Sequence, residues 1–299
     1  MKRYNVINGA ISHSQDDAAF SETDYDTVVY IPEFYYTAYK DTTNSKWLWA
    51  ISPTAKAGFV KHPGSGRYIG RFHTSGDSTA VFSKSGVAPL ASTSKTNFRS
   101  YSHSKGAKWW MLDLASWSAL QLLYLVEFAN FNSQATLGTG QDSGSVKASG
   151  GTTGAAYHTF KRSKNSNQYR WVEDPFSNVY DWIDGFIAVD KAAYVGLDNS
   201  AFTDQSNSLK KANITLPSSS FISGFGYSTV CPYAFIPDTA AGSESTYVTD
   251  RVYSSAGTYA LSVGGYCSAN ASCGLFFFYA SDTASSTSAY LGSRLLYIP

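Results

Sequence analysis

Four carboxylates lie close together in the segment 169–190: Glu173, Asp174, Asp181 and Asp184. Oxygen ligands at this density could hold calcium, and a suitably spaced pair could act on a glycosidic bond. Clusters of this kind more often cap turns, and turn capping is the expectation. The five histidines, His13, His62, His73, His103 and His158, are scattered. None stands three or four residues from a second ligand on a helix, so a zinc or iron site is not expected. Serine is abundant, but no G-x-S-x-G elbow is present to expose one as a nucleophile. The three cysteines, Cys231, Cys267 and Cys273, leave at least one unpaired. Free thiols are expected, although Cys267 and Cys273 are near enough in sequence for a local bridge. No catalytic residue, metal or cofactor is expected.

These side chains must be positioned by a mixture of strands and helices. VVYIPEFYYTAYK (28–40) is β-branched and aromatic and reads as a strand with an edge or bulge at Pro32. It forms a hairpin with a second strand at 46–51, and a third follows around 68–72. A first helix is expected over 92–104, stopped by Gly106. A second begins at Asp113, which can cap the free amides of LASWSALQLLYLVEFANF. Leu114, Trp117, Leu120, Tyr124 and Phe128 recur at helical spacing, with more leucines on the other sides, so this helix should be central and buried. Glu127 inside it needs a partner, expected to be Arg99 or Lys95. The segment LGTGQDSGSVKASGGTTGAA (137–156) is Gly/Ser-rich and suits an exposed loop; it lacks the GK[ST] ending of a phosphate cradle. The remainder reads as short strands in a long, loop-rich second half.

Composition narrows the function further. Charged residues make up 15% of 299 and aromatics 16%, with 22 Tyr and 18 Phe, and the formal net charge is +1. No basic stripe is present, which argues against nucleic acid as a partner. Tyrosine among serine and glycine is the alphabet of antibody-like binding surfaces. The start MKRYNVINGAISHSQDD has no apolar run behind it, and the apolar stretch 119–128 is too short to span a bilayer. Synthesis in the cytoplasm without a signal peptide, and no membrane insertion, are therefore expected.

Two segments resemble known families. VYDWIDGF, preceded by Asn178, resembles the NVWEWVDG block of the C-type-lectin-like fold of formylglycine-generating-enzyme relatives and phage tail proteins. IPEFYY, GFVKHP, SGVAPL and LVEFANFNSQ resemble the body of phage tail or tail-tip proteins of gut Firmicutes. The C-terminal GGYCSANASCGLFFFYASDTASSTSAYLGSRLLYIP is similar to the variable region of diversity-generating retroelement targets, with its GG start, aromatic and small residues, and G-[AS]-R-L-L end. In those systems adenines of AAC-type template codons are randomised, and a codon that keeps its final C never encodes Lys, Glu, Gln, Met or Trp. These five types total 35 of 299 residues. A 28-residue window should hold about three of them by composition, yet residues 264–291 hold none.

The resemblance implies an α+β, C-type-lectin-like fold with two helices packed on antiparallel sheets and long loops. Residues 1–25 would be a polar segment connected with assembly, and 26–299 the lectin-like domain with its variable region at about 264–291. Gly264, Gly265, Gly274, Leu291, Gly292, Arg294, Leu295 and Leu296 would hold the backbone, with Arg294 in a salt bridge or backbone contact. The ligand-binding face would comprise Tyr266, Cys267, Ser268, Ala269, Asn270, Ser272, Phe276, Phe278, Tyr279, Ser281, Asp282, Ser286, Thr287, Ala289 and Tyr290. Cys267 departs from the pattern, since many relatives have Trp there. Strand alternation assigns Phe276 and Phe278 outward and Leu275 and Phe277 inward. The implied function is hypervariable receptor binding at a phage tail tip, as a homo-oligomer such as a trimer. Its partner would be a bacterial cell-surface protein or glycan. A structural virion protein would instead bury Tyr266, Phe278, Asp282 and Tyr290, and a formylglycine-generating-type enzyme would need reactive cysteines.

Overall fold

A computed structural model describes residues 1–44, 46–153 and 166–299, with the backbone alone for Lys46 and Ala271. His158 and residues 154–156 of the Gly/Ser-rich loop lie outside the described residues. Strands account for 36% of the chain and helices for 13%, and the architecture includes a sheet curled into a half-barrel. The expected α+β, C-type-lectin-like arrangement is therefore corrected to a β-rich fold. Helices are present where expected, but the second half, expected as short strands in a loop-rich stretch, is largely paired into sheets across long sequence separations.

A six-stranded sheet runs in the order Trp109–Met111, Leu295–Tyr297, Arg67–Gly70, Asp26–Ile31, Lys2–Ile7, Ala10–Ser14. The polar N-terminal residues thus contribute two of its strands. A second sheet is ordered Lys210–Thr215, Ala192–Val195, Tyr180–Val189, Thr258–Gly264, Gly274–Asp282, Arg251–Ser254, Ser220–Phe221, with Leu291–Gly292 parallel to Tyr180–Val189. Gly274–Asp282 pairs in parallel with Arg251–Ser254 and antiparallel with Thr258–Gly264. The 28–40 segment, expected as one strand, is split: Asp26–Ile31 joins the first sheet, and Tyr35–Asp41 pairs with Lys46–Ser52 in a separate hairpin. Pro32 lies at the break, where it need not donate to a ladder.

Helix α1 spans Lys95–Ser104, capped by Ser94, whose side chain accepts the Asn97 amide. Helix α2 spans Leu114–Phe128 and is capped by Asp113 through the Ser116 amide. Asp113 also binds Arg67 and Asn199, each at 2.6 Å, so one carboxylate ties the helix start to both flanking segments. Leu114, Trp117, Leu120, Leu122 and Tyr124 are all buried, as a helix apolar on every side requires. Glu127 is corrected: it is part-exposed and pairs with Arg170 at 2.7 Å, while Arg99 and Lys95 bind Asp184 and Asp204. A short α3, Ser133–Leu137, follows.

α2 and α3 determine which way the Gly274–Asp282 strand faces. Gln121 donates to the Leu275 carbonyl at 2.9 Å, and the Leu275 amide donates to Ser133 at 2.9 Å. Phe276 packs among Phe131, Phe235 and Phe225 at ring separations of 4.8, 5.9 and 5.9 Å. Gly274 brings this strand against Asp250: a Cβ at that position would lie 2.2 Å from its Oδ1.

Candidate functional site

Side chains of directly opposed strand residues share one face of a sheet. Trp182 opposes Ser262, Ser262 opposes Tyr279, and Tyr279 opposes Tyr253, so these four form one cross-strand row, open to the outer face at its Tyr279–Tyr253 end and fully buried at Trp182 and Ser262. Tyr180 and Phe277 lie two residues from members of that row and join the same face. The neighbouring row, Asp181, Val263, Phe278 and Val252, points into the core. The outward assignment of Phe276 and Phe278 is thereby corrected. Both are buried, at 1% and 3% exposure. Phe277 turns the other way and floors a cleft. Alternation alone offers two opposite faces, and the apolar surface of α2 and α3 selects the one that takes Phe276 inward.

The cleft has a volume of about 370 Å³ and is lined by Tyr180, Tyr253, Tyr266, Ser268, Ala269, Ser272, Phe277 and Tyr279. Tyr180 is its centre. It stacks on Tyr266 with centroids 5.0 Å apart and lies 5.7 Å from Phe277 and 5.6 Å from Tyr279. Tyr253 closes the far side at 5.3 Å from Tyr279, and Tyr290 reaches over Tyr266 at 4.8 Å. Tyr180, Tyr253, Tyr266 and Tyr279 are each half-buried, so ring surface remains open to solvent. Burial, with neighbouring tyrosines, pushes the phenols of Tyr180 and Tyr279 well up, and they stay protonated as hydrogen-bond donors.

The rim loop is fixed from beneath. Gly264 and Gly265 both adopt positive φ, 85° and 79°, which turns the chain out of the sheet at low steric cost. The Cys267 amide donates to the Asn178 carbonyl at 3.1 Å, and the Asn178 side chain accepts the Lys147 amide at 2.9 Å. Asn270 donates its amide to Asp142 and accepts from Gln134, each at 3.1 Å.

Of the expected binding residues, Ser268, Asn270, Thr287, Ala289 and Tyr290 are exposed. Tyr266, Ala269, Ser272, Tyr279, Ser281, Asp282 and Ser286 are half-buried. Ser281 bonds Ser255 at 3.2 Å, and Ser286 accepts the Thr283 amide at 3.0 Å, so both also shape the backbone. Cys267 is corrected to a buried position. Tyr180 and Tyr253 were missed, because strand pairing brings them from outside the C-terminal segment. Local alternation could not have found Tyr180, because it shares a face with Trp182, which is fully buried.

The carboxylate cluster is taken up by structural bonds. Glu173 accepts the amides of Gly150 and Thr152, at 2.6 and 2.8 Å. Asp174 accepts Ser166 and Asn167, both at 2.9 Å, and burial with Glu173 beside it pushes its pKa up to about 8. Asp181 meets Arg294 at 2.7 Å and His73 at 3.1 Å; burial raises its carboxyl, but these two partners outweigh it and hold the pKa below the usual range. The contact expected of Arg294 is thus a buried ion pair. Burial raises all three thiols, Cys231 to about 11, the opposite of an activated thiolate. All three cysteines are free.

Among the described residues no group of three or more His, Cys, Asp or Glu is placed to hold a metal. No described helix is long and apolar enough to cross a membrane. A separate apolar concavity of about 410 Å³ lies between Trp47, Trp49, Phe131, Phe225 and Tyr247, and none of its described lining residues is charged. No protein-family model and no curated protein matches the chain.

Proposed function

We propose that this chain is a ligand-recognition protein whose C-terminal segment forms part of a tyrosine-lined binding cleft. The observation that carries the reading is the outer-face aromatic row. Five rings from three separate strands and a rim loop converge on one solvent-filled concavity, while the residues between them are locked into the sheet. Tyrosine rings offer stiff contact area with a polar tip, which suits sugars and protein side chains. Ser268 lines this cleft, Tyr290 contacts Tyr266 at its rim, and Asn270, Thr287 and Ala289 are exposed in the same C-terminal segment.

In this reading the chain is a hypervariable receptor-binding protein of the kind carried at a phage tail tip, and its partner is a bacterial surface protein or glycan. Binding and not catalysis is favoured, since the carboxylates are committed to structural bonds and the thiols are buried. Arrays of bacterial surface glycans and proteins, probed with the full chain and with Tyr180→Ala and Tyr279→Ser variants, test the proposal. Hits that weaken at least tenfold in both folded variants support it. Hits indifferent to both, or no hits, contradict it.

A further inference from the structure

The Gly274–Asp282 strand carries an irregularity that re-aims one charged side chain. Ala260 opposes Asp282 while Ser262 opposes Tyr279, so three residue steps on one strand match two on its partner. Such a bulge reverses the alternation after it. Asp282 therefore returns to the face that carries Tyr279, Phe277 and Tyr180. It stands on that face three residues past Tyr279, beside the cleft and not in its lining, and its charge adds to the burial that raises the phenols of Tyr180 and Tyr279. Among the described residues no cation and no hydrogen-bond donor meets its carboxylate. It is half-buried, and loss of solvent raises its pKa. By contrast Asp181, Asp184 and Asp204 each have a cationic partner, and Asp250, which has none among the described residues, accepts the Phe276 amide.

An unpaired, part-desolvated carboxylate beside open tyrosine faces provides two features that attract an organic cation. The ring quadrupole is negative over its face, and the carboxylate supplies the counter-charge. The same face already shows this interaction within the chain: the Arg251 guanidinium lies 4.9 Å from the Tyr253 centroid and 5.1 Å from that of Phe221. The lining is five aromatic rings with hydroxyls from four tyrosines, Ser268 and Ser272, and none of the described lining residues is charged. Ring faces grouped around one concavity favour an ammonium whose substituents are carbon, because such a cation is weakly hydrated and is surrounded by aromatic faces more readily than a primary ammonium.

Resting on the recognition reading above, we infer that the cleft takes an alkylammonium cation of the quaternary type, held against Tyr180 and Tyr279 with Asp282 as its counter-ion. Isothermal titration of the full chain with choline and with its neutral isostere 3,3-dimethyl-1-butanol tests this. The expected result is at least tenfold tighter binding of choline, with Asp282→Asn losing most of that preference while its melting temperature stays unchanged. Tyr279→Ser should weaken choline at least fivefold. Equal affinity for the two probes, or binding of neither, overturns the inference. The two failures separate on the surface arrays. Hits that need Tyr180 and Tyr279 but carry no ammonium group sink the cation assignment alone, whereas a lack of tyrosine-dependent hits sinks the recognition reading itself.

Discussion

Tyr266 stacks on Tyr180 with ring centroids 5.0 Å apart and 29° between their planes. One ring comes from the rim loop of the C-terminal segment, the other from a strand in the middle of the chain. Their contact joins a replaceable rim to a fixed floor, and the same division predicts how substitutions will behave.

Phe276→Ala and Phe278→Ala remove rings that are 1% and 3% exposed and packed against other aromatics. Each should cost about 3–5 kcal/mol. Ser268, Thr287 and Ala289 are exposed, and substitutions there should fall within about 0.5 kcal/mol of the parent. Urea denaturation of the two sets checks the contrast. Similar losses in both sets would mean that the rim is part of the core.

Arg294 is fully buried, donates to Asp181 at 2.7 Å and also donates to the Arg71 carbonyl at 3.1 Å. Arg294→Ala leaves the Asp181 carboxylate buried with only His73 beside it, and a loss of about 3–5 kcal/mol is expected. Arg294→Lys should recover only part of this, because an ammonium cannot reproduce the guanidinium fork. Full recovery by lysine would show that charge alone matters here.

Asp250 gives a pH dependence of opposite sign to ordinary acid denaturation. Burial pushes its pKa up to about 8, and it accepts the Phe276 amide at 2.7 Å. An unfolded Asp titrates near 4, so between about pH 4 and 8 the folded state holds a proton that the unfolded state does not. Its contribution is full below about pH 4 and is lost as the pH rises through about 8. Asp174, also pushed up to about 8, acts in the same direction. The carboxyls of Asp181, Asp184 and Asp204 are held low by cationic partners that outweigh burial, and they stabilise above about pH 4. Below about pH 6.5 the buried His62 and His73, whose pKa values desolvation lowers, give a slope of the opposite sign. Chemical denaturation across pH 7–9 should therefore show stability falling with pH up to about 8, and Asp250→Asn should flatten that slope. An unchanged slope in that variant would remove Asp250 as its source.

Local signals in the sequence were read well. Asp113 caps α2 as a short polar side chain before an apolar helix should, and the strand expected at 46–51 is present as Lys46–Ser52. Pairing across distance was not legible. The strands that frame the cleft come from three separate stretches of the second half, and each is too short to announce its partners. That is why this half reads from sequence as short strands among loops and not as one continuous sheet. The same limitation reversed Phe276 and Phe277. Period-two alternation gives two faces without naming the inner one, and the choice was made by α2 and α3, which lie far off in sequence. Tyr253 illustrates the remaining gap: only its register opposite Tyr279 brings it to the site.

Interchangeable side chains on a rigid frame are the core of this account. The most direct measurement is a displayed library randomised at Ser268, Asn270, Thr287, Ala289 and Tyr290, sorted for binding to surface ligands that the parent does not bind. The account predicts that new specificities emerge in clones whose melting temperatures stay within about 2 °C of the parent, the shift that about 1 kcal/mol would produce in a chain of this length. A library whose clones unfold, or whose folded clones all keep the parent's binding profile, would contradict it.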